Sequence, residues 1–484
     1  MDTDVLICGA GPTGLTLAIE LARRHIPFGL IDKAPAPFVG SRGKGLQPRT
    51  LEVFEQMGLA DRVLAAGGPY PPARTYAADG TFADTLFDER RPASPAEPYG
   101  QIAMLPQFLT ERIQRDRLAE LGHTATFGAE IVRIQPTASE VKARLRTDRG
   151  TQTVKARYLV GADGGRSFVR QALKVGFPGE SLGFQAVVAD LHLDGLDRDA
   201  WHRWGSSPAL SLALCPLAGT DLFQLQAPVP PDAEFDPSIA VLQALIHERT
   251  RCDDIIIRDV TWASAYRGNA RLAERYVTGR VILAGDAAHV HPPTGGQGLN
   301  TSVQDAWNLG WKLAAALRGG PDLLETYEAE RREVAAGMLG LSLKLLDAAR
   351  RDADMRRDRT TQQLDIGYPD SPLSLDLRGR GLPAGSRAPD APCRGAGGQP
   401  LRLFHLFGPH WTLLAFESDA EISPRSGLLI HRVGRDIIDD SGHIAAAYDF
   451  EPGDVALIRP DGYVGALATS VSELDPYLRK VGLL

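Results

Sequence analysis

The residues most able to do chemistry are glycines and acids, beginning with the run Gly9-Ala10-Gly11-Pro12-Thr13-Gly14. Gly9 permits a tight turn, Gly11 lets the backbone approach a pyrophosphate, and Gly14 allows a helix to pack closely on a strand. Free amides at the helix N-terminus would face the anion. Asp32 stands at the distance where an acid accepts hydrogen bonds from a ribose. We therefore expect a dinucleotide site, for FAD or NAD(P).

The elements around this run have the order that such a site needs. Residues Val5 to Cys8 form a short apolar run, and Phe28 to Ile31 form a second one that ends at Asp32. Between them, Leu15, Ala18, Ile19 and Ala22 recur at helical spacing. The pattern predicts a strand, a glycine turn, a helix and a second strand.

A second stretch places an acid after another apolar strand. The run Tyr158 to Val160 leads into Asp163-Gly164, and a helical pattern follows. Open α/β sheets bind ligands at the carboxyl ends of their strands, which is where Asp163 falls. A loop held only by its own hydrogen bonds remains an open alternative.

A third stretch, residues 280–300, combines a strand, Gly285-Asp286, a Pro- and Gly-rich loop and a long helix beginning near Leu299. The loop glycines expose amides and the helix N-terminus is partly positive, so a flat ring carrying negative charge would be stabilised there. An ordinary helix N-terminus is the alternative. We interpret His289 and His291 as loop-structuring residues in preference to catalytic bases.

Composition limits the remaining choices. The chain has 484 residues, 43% of them apolar and 23% charged, with a net charge of −7 and no long basic run. These values predict about three globular domains, no nucleic-acid partner and a small-molecule substrate. No stretch is apolar enough to span a membrane, so we expect a cytoplasmic protein. Four dispersed cysteines indicate neither a disulfide framework nor a metal site.

The middle of the chain changes character. Residues 67–101 are rich in Pro, Gly and Ala and predict an excursion from the nucleotide-binding part. From Phe184 to Tyr266, short strands alternate with Pro-rich loops, which predicts a second, mostly antiparallel domain. Five aromatic residues there are candidates to line a pocket for a flat substrate: Trp201, Trp204, Phe223, Trp262 and Tyr266.

Taken together, the three stretches closely resemble the flavoprotein aromatic hydroxylases, the single-component FAD monooxygenases typified by para-hydroxybenzoate hydroxylase. Within that family the chain resembles the bacterial polyketide and antibiotic hydroxylases and the phenol hydroxylases. The resemblance implies an α/β fold with a Rossmann-like FAD-binding domain of the glutathione reductase type. It further implies an inserted antiparallel-sheet substrate domain and a C-terminal thioredoxin-like domain. The corresponding boundaries are 1–180 and 272–372 for the FAD-binding domain, 181–271 for the substrate domain and 373–484 for the C-terminal domain.

The resemblance also assigns cofactor contacts by position. It gives the glycine run to the FAD pyrophosphate, Asp32 to the adenosine ribose and Lys33 to a place beside that ribose. Asp32 is shorter than the family's usual Glu, which puts only the tightness of binding in doubt. The further contacts implied are Arg42 and Gln107 near the phosphates and ribityl chain, Ile131 by its backbone at the adenine, Asp286 at a ribityl hydroxyl or phosphate, Pro293 beside the reactive ring face, and Gly298, Leu299 and Asn300 by their amides at the pyrimidine edge. Asp163 and Gly285 are expected to contact the cofactor as well.

The implied reaction uses NADPH or NADH and O2. The nicotinamide reduces the flavin, O2 adds to give a flavin hydroperoxide, and its distal oxygen passes to an electron-rich aromatic substrate in a dry pocket. The absence of a second nucleotide fingerprint suits a nicotinamide that binds only transiently. No family motif marks a catalytic base in this sequence.

The C-terminal part contains predicted strands at Leu401–Phe407, Trp411–Phe416, Gly427–Arg432 and Ala456–Pro460, followed by a hairpin up to Val464. This part contains no C-x-x-C, so we expect a packing role or a homodimer contact instead of redox work. There are three alternatives to an aromatic hydroxylase. A halogenase is disfavoured because its Trp-x-Trp-x-Ile-Pro signature is missing. An epoxidase or Baeyer-Villiger oxygenase on a polyketide stays open, and so does a non-catalytic flavin-binding protein.

Overall fold

The computed structural model describes residues 2–86, 89, 91–205, 207–231, 234, 236–350 and 357–483. Within these ranges, no helix is both long enough and apolar enough to cross a membrane. The four cysteines are free; Cys215 and Cys393 are buried, whereas Cys8 and Cys252 are partly exposed.

Helices and strands alternate in the first part of the chain. Their bounds are β1 Asp2–Cys8, α1 Pro12–Ala22, β2 Phe28–Ile31, β3 Gly45–Leu46, α2 Pro48–Gln56, α3 Ala60–Ala66, β4 Gly68–Pro69, β5 Ala73–Tyr76, β6 Phe82–Thr85, β7 Ala103–Met104, α4 Gln107–Glu120, β8 Glu130–Pro136, β9 Val141–Thr147, β10 Gly150–Gly161 and α5 Phe168–Ala172.

The middle of the chain is dominated by longer strands and is followed by two long helices. Their bounds are β11 Gly179–Asp194, β12 Trp201–Trp204, β13 Leu212–Pro216, β14 Phe223–Val229, α6 Ile239–Thr250, β15 Ile256–Leu272, β16 Val277–Thr278, β17 Val281–Leu283, β18 His289–Val290, α7 Gly298–Leu317, α8 Leu324–Arg350 and α9 Arg359–Gln362.

The C-terminal part is a mixture of short strands and two short helices. Their bounds are β19 Leu375–Asp376, β20 Pro392–Gly395, β21 Pro400–Arg402, β22 Trp411–Phe416, β23 Leu428–Val433, β24 Ile437–Ile438, α10 His443–Tyr448, β25 Val455–Ile458, β26 Val464–Ala468 and α11 Asp475–Lys480.

The first sheet has seven strands. Its path is β16-β17-β10-β1-β2, and β9 and β8 extend it from the first half of β10. Strands β2, β1, the second half of β10 and β17 are mutually parallel. Helix α1 packs between this sheet and α7, where a side chain at Gly310 would meet Glu20 Cβ at 2.7 Å. The predicted strand, glycine turn, helix and strand are confirmed in residues 2–31.

The second sheet has eight strands in the order β18-β15-β11-β14-β13-β12-β5-β6. All neighbours are antiparallel except β12 and β5. The predicted antiparallel region is therefore confirmed, and the excursion at residues 67–101 supplies its last two strands. Helix α6 was not predicted. Its N-cap is Ser238, whose hydroxyl accepts a hydrogen bond from the Val241 amide, and the helix packs Leu242 and Ile246 on the sheet.

The third sheet lies in the C-terminal part, in the order β19-β26-β25-β22-β23-β24-β20-β21. The predicted β25–β26 hairpin is confirmed. The strand predicted at Leu401–Phe407 is wrong beyond Arg402, because a 3-10 turn follows at Leu403–His405. There the Asp390 carboxylate accepts a hydrogen bond from the Phe404 amide, and the turn buries Leu403 and Phe404.

A buried ion cluster joins the C-terminal hairpin to α7 and α8. We call Glu330, Arg459, Asp461 and Lys312 the ion hub. Glu330 receives both terminal nitrogens of Arg459, each at 2.8 Å, and Lys312 Nζ at 2.7 Å. Arg459 also donates to Asp461 at 2.6 and 2.9 Å. All four side chains are buried, so the charges neutralise one another away from water.

Candidate cofactor cleft

Four parallel strands end side by side and deliver the predicted site residues to one edge of the first sheet. Cys8 is level with Ile31 on β2 and with Gly161 on β10, and Gly161 is level with Leu283 on β17. The backbone ladder continues one residue further, since Gly9 N donates to Ile31 O at 2.8 Å. The four ends lead into Gly9, Asp32, Asp163 and Gly285, at the edge where open α/β sheets bind ligands.

The three glycines of the turn differ in what a side chain at each position would meet. Gly9 has φ +110°, and a side chain there would overlap the Ala162 carbonyl of the neighbouring strand end. A side chain at Gly14 would overlap the Gly9 carbonyl, so Gly14 brings α1 close to the turn. Gly11 differs from both, because a side chain there would meet nothing within 4 Å. The turn is tightly packed on its protein side and open at Gly11.

The third stretch touches the first directly. Gly285 has φ +62°, and a side chain there would overlap Thr13 Oγ1 and approach Ser302 Cβ to 3.1 Å. Its amide donates to Asp305 Oδ2 at 3.1 Å. The start of α1 and the strand end before α7 therefore form two walls of one cleft, which we call the cofactor cleft.

Asp32, Lys33 and Ile131 lie at one end of the cleft. The Asp32 carboxylate accepts hydrogen bonds from the amides of Ala10 and Ala34, each at 2.8 Å. Lys33 is exposed beside it. Ala129, just before β8, donates its amide to the Asp32 carbonyl at 2.9 Å. The side chain of Ile131 is buried in the core, which leaves only its backbone for a ligand.

Arg42, Gln107 and Leu299 meet around Gly43. Gln107 Oε1 accepts from the Gly43 amide at 3.1 Å, and a side chain at Gly43 would meet Leu299 Cδ1 at 3.0 Å. Arg42 is exposed and lies over the rings of Phe38 and Trp262, at 5.3 and 5.9 Å. These contacts join the loop after β2 to the first turns of α4 and α7.

Asp163 is mostly engaged by its own turn. Its two carboxylate oxygens accept from Ser167 Oγ at 2.5 Å and from the Val169 amide at 3.1 Å, and thereby hold the start of α5. Burial raises the pKa of this carboxyl, against these hydrogen bonds. The geometry favours the alternative of a self-supporting turn for the side chain, while its place at the strand end keeps its backbone beside Gly9.

Asp286 and Pro293 face the opening of the cleft. Both are exposed, unlike their neighbours Gly285 and Pro292, which are buried. Protein nevertheless surrounds Asp286 closely enough to raise the pKa of its carboxyl, against the opposing charges of His289 and Arg42. An exposed acid that is also desolvated by protein lies in a recess, where a hydroxyl group could donate to it.

Helix α7 points its N-terminus at the same recess. Its N-cap residue Gln297 makes no side-chain capping hydrogen bond, so the first-turn amides of Gly298, Leu299 and Asn300 have no capping side chain there. The Asn300 side chain is already engaged, since Oδ1 accepts from the Gln47 amide at 2.8 Å and Nδ2 donates to Gly45 and Gly296 carbonyls. The Asn300 side chain is therefore not free to bind a ligand.

The two histidines belong to a buried chain behind the cleft. His289 Nε2 lies 2.7 Å from Asp305 Oδ2, and His289 Nδ1 lies 2.9 Å from His291 Nε2. Arg331 donates to Asp305 Oδ1 at 2.8 Å. Burial lowers the pKa of His291 to about 3, and the charge of His289 adds to this. His291 is therefore neutral near pH 7 and a weak base, which supports the loop-structuring interpretation.

Sequence reasoning missed one polar face of α4. Gln107, Glu111 and Gln114 recur at i, i+4 and i+7, and the last two are buried. Gln107 donates to Glu111 at 2.9 Å, while Gln114 donates to Thr16 Oγ1 at 2.9 Å and holds the first turn of α1. Burial raises the pKa of Glu111 to about 7. The helical spacing of three polar residues was the signal available in the sequence.

The second sheet separates the five candidate pocket aromatics. On β12 and β15, alternate residues point to opposite faces. Trp204 and Phe223 lie in the hydrophobic cluster under α6, so they were wrong as pocket candidates. Trp201, Trp262 and Tyr266 lie on the other face, where Trp262 contacts Phe38 of the nucleotide-binding part. We call this the inner face.

The residues of the cleft fit a dinucleotide. Gly11 faces open space where an anion would approach, two helix N-termini lack side-chain caps, and an acid stands at each end, partly exposed at Asp32 and exposed at Asp286. Amides at helix ends stabilise phosphate, and carboxylates accept from ribose or ribityl hydroxyls. The arrangement can bind a long anionic cofactor along the sheet edge, from Asp32 to Pro293.

Comparison with known proteins gives a consistent result. Residues 2–342 match the family described as "FAD binding domain". The chain is 40% identical over 490 residues to a flavin-dependent monooxygenase of Mycobacteroides abscessus, with 99% of each chain covered. It is 35% identical over 514 residues to 6-methylpretetramide 4-monooxygenase of Streptomyces rimosus, covering 96% of this chain and 90% of the relative. The crystal structure of aklavinone-11 hydroxylase with FAD and aklavinone superimposes with a TM-score of 0.82 at 28% identity, covering 99% of this chain and 98% of that one.

Proposed function

Because this chain belongs to the FAD binding domain family of flavin-dependent monooxygenases, we propose that it hydroxylates an aromatic small molecule with FAD, NADPH or NADH, and O2. Two relatives are named for 6-methylpretetramide and aklavinone, which supports a substrate of the aromatic polyketide type. The observation that carries the proposal is the cofactor cleft itself, where Gly11, Asp286 and Pro293 remain open while the packing around them is tight.

The proposal assigns each cleft residue a part in holding FAD. Backbone amides of the glycine turn would face the pyrophosphate, Asp32 the ribose, and Asp286 a ribityl hydroxyl. The remaining assignments are Lys33 beside the ribose, Arg42 and Gln107 near the phosphates and ribityl chain, Ile131 by its backbone at the adenine, Asp163 and Gly285 at the strand ends, Pro293 beside the reactive face, and Gly298, Leu299 and Asn300 by their amides at the pyrimidine edge.

When bound, the reduced flavin supplies activated oxygen for transfer to the substrate. The protein's own task is to position the aromatic ring and exclude water, since water and loose protons divert the oxygen to hydrogen peroxide. The inner face of the second sheet is the surface best placed for this, because Trp262 contacts the loop that carries Arg42.

The proposal keeps the four-part division at residues 1–180, 181–271, 272–372 and 373–484, with a thioredoxin-like C-terminal domain. In its sheet, β22 is parallel to β23 and antiparallel to β25, a mixed arrangement that supports this assignment. Its role would be packing against α7 and α8 through the ion hub, or contact in a homodimer.

Anaerobic reduction of the purified FAD-loaded protein by NADPH and by NADH tests the proposal. Flavin absorbance is followed with and without a panel of phenols and hydroxylated polycyclic aromatics. We expect one ligand class to accelerate reduction, and labelled O2 admitted afterwards to place one labelled oxygen in the product. Flavin that neither nicotinamide reduces under any condition would favour a binding role. A labelled epoxide or lactone would favour an epoxidase or Baeyer-Villiger oxygenase.

A further inference from the structure

The strand register orders the inner face into rows. Asp190 on β11 is opposite Trp262 on β15 and Gln224 on β14, and Gln224 is opposite Cys215 on β13. This row touches the nucleotide-binding part, because Ser41 and Lys44 in the loop after β2 contact Gln224.

Two residues further along the strands, the next row contains small or short side chains around one amide. Val188 is opposite Ser264 and Gln226, and Gln226 is opposite Ala213. In the row after that, Ala186 is opposite Tyr266 and Pro228. These small side chains lie between Trp262 in the row before and Tyr266 in the row after, and they leave a flat floor between the two aromatic rings. Gln226 is the long polar side chain at the centre of this floor.

A hydrogen-bond network runs from buried charges to this amide. Lys44 Nζ donates to Gln224 Oε1 at 2.6 Å, and Gln226 Nε2 donates to the same oxygen at 2.7 Å. Gln224 Nε2 donates to Ser41 Oγ at 2.8 Å, and Ser41 Oγ donates to Asp190. Ser41, Asp190 and Gln224 have no exposed surface.

This network assigns the orientation of both amides. An ammonium only donates, so Lys44 fixes the Gln224 oxygen toward itself and the Gln224 nitrogen toward Ser41. Two facing amide oxygens would repel, so Gln226 must present its nitrogen to Gln224. The partly exposed Gln226 side chain is left with its carbonyl oxygen, which makes no hydrogen bond within the described residues.

We propose that Gln226 is a specificity-determining residue that accepts a hydrogen bond from a phenolic hydroxyl of the substrate, and that Lys44 positions it through Gln224. The inference rests on the proposed function. It adds that the substrate places a hydrogen-bond donor at the centre of the floor. A substrate group that only accepts hydrogen bonds would face a fixed carbonyl oxygen and be disfavoured.

Equilibrium binding to the FAD-loaded protein tests this, with flavin absorbance as the readout. The probes are hydroxyanthraquinones and the matched anthraquinones that lack one hydroxyl. We expect the wild type to prefer one hydroxylated member by at least about tenfold, the value of one good hydrogen bond. Gln226→Leu should bring this ratio close to one, whereas Gln152→Leu, the same change on an exposed strand position, should leave it unchanged.

The positioning role of Lys44 is tested by a double-mutant cycle. Lys44→Met should lower the preference in the wild-type background and have no further effect on it in Gln226→Leu. A preference that survives Gln226→Leu would overturn the inference while leaving the proposed function intact. A wild-type holoenzyme whose flavin no phenolic probe perturbs, and whose reduction none accelerates, would overturn both.

Discussion

The cofactor cleft and the ion hub contain similar polar groups but differ in whether these groups are exposed or are buried and hydrogen-bonded to other protein groups. In the cleft, Asp286 is exposed and Gly11 faces open space. In the hub, Glu330 receives five hydrogen bonds, from Arg459 twice, Lys312, Asn308 and Ser371. Exposed polar groups at a recess are available to a ligand, whereas satisfied buried charges indicate that the protein is its own partner.

The largest effect is expected from removing the acid of the hub. Glu330→Ala leaves Arg459 and Lys312 buried without their carboxylate, so we expect the free energy of unfolding to fall by about 3–5 kcal/mol. Urea unfolding followed by tryptophan fluorescence measures this, since Trp311 lies 5.4 Å from the Arg459 guanidinium.

The matched control is Glu325→Ala, which removes an exposed acid from the first turn of the same helix. It should change the free energy of unfolding by less than about 1 kcal/mol. Equal losses in the two variants, or loss of FAD binding by Glu330→Ala without loss of stability, would break the distinction between hub and cleft.

The hub also predicts acid sensitivity. Burial acts to raise the pKa of Glu330, but the charges of Arg459 and Lys312 hold it well below its usual range. A carboxyl with a lowered folded-state pKa stabilises the protein above its unfolded pKa of about 4.3, and this stability is lost as the pH falls.

We therefore expect the wild-type free energy of unfolding to fall between about pH 5 and pH 3, by at most about 1.4 kcal/mol per pH unit for this one proton. Glu330→Gln should fall less steeply when both are measured by urea unfolding across that range. Parallel curves for the two proteins would show that this carboxyl is not the group responsible.

A smaller effect, confined to the cleft, is expected at Gly11. Gly11→Ala adds a methyl group where no protein atom lies within 4 Å, so the apo protein should keep its stability to within about 1 kcal/mol. The same methyl group would obstruct the pyrophosphate, and we expect the FAD dissociation constant to rise at least about tenfold.

Flavin fluorescence titration of the apo protein measures that constant. Gly14→Ala is the contrasting variant, because its methyl group would overlap the Gly9 carbonyl and should lower the stability of the apo protein as well. If Gly11→Ala bound FAD as tightly as the wild type does, the pyrophosphate would not pass over this turn.

The smallest effect is expected on a helix surface that belongs to neither region. Gly337 on α8 is exposed, and a side chain there meets nothing within 4 Å. Gly337→Ala should raise the free energy of unfolding by about 0.5–1 kcal/mol through helix propensity alone, with FAD affinity unchanged. Gly310→Ala on α7 should instead lower it, because its methyl group would meet Glu20 Cβ at 2.7 Å. Thermal unfolding compares the two variants.

The cleft was predictable because its signals are local. Gly9, Asp32 and Gly285 each follow an apolar strand within a few residues, and parallel strands bring such ends to one edge without further information. The interpretation of His289 and His291 was also local, since both follow Asp286 within five residues of sequence.

The hub and the inner face depend on distant pairings and were not predictable in the same way. Glu330 and Arg459 are separated by 129 residues, and no local sequence pattern around either residue predicts that the two will pair. Trp201 and Trp204 are three residues apart and therefore on opposite faces, but which face is the inner one follows only from the pairing of β12 with β13. Gln226 was overlooked for the same reason.

The hub has a consequence for exchanging parts between relatives. Asp461 in the hairpin turn receives the indole N–H of Trp307 on its carbonyl and that of Trp311 on its carboxylate, both from the helix whose first turn faces the cleft. A chimera joined between residues 350 and 390 would separate these donors from their acceptor. A C-terminal segment taken from a relative will be tolerated only when that relative has the same acid at the hairpin turn and the same indoles on α7. We therefore expect these two segments to change together among relatives.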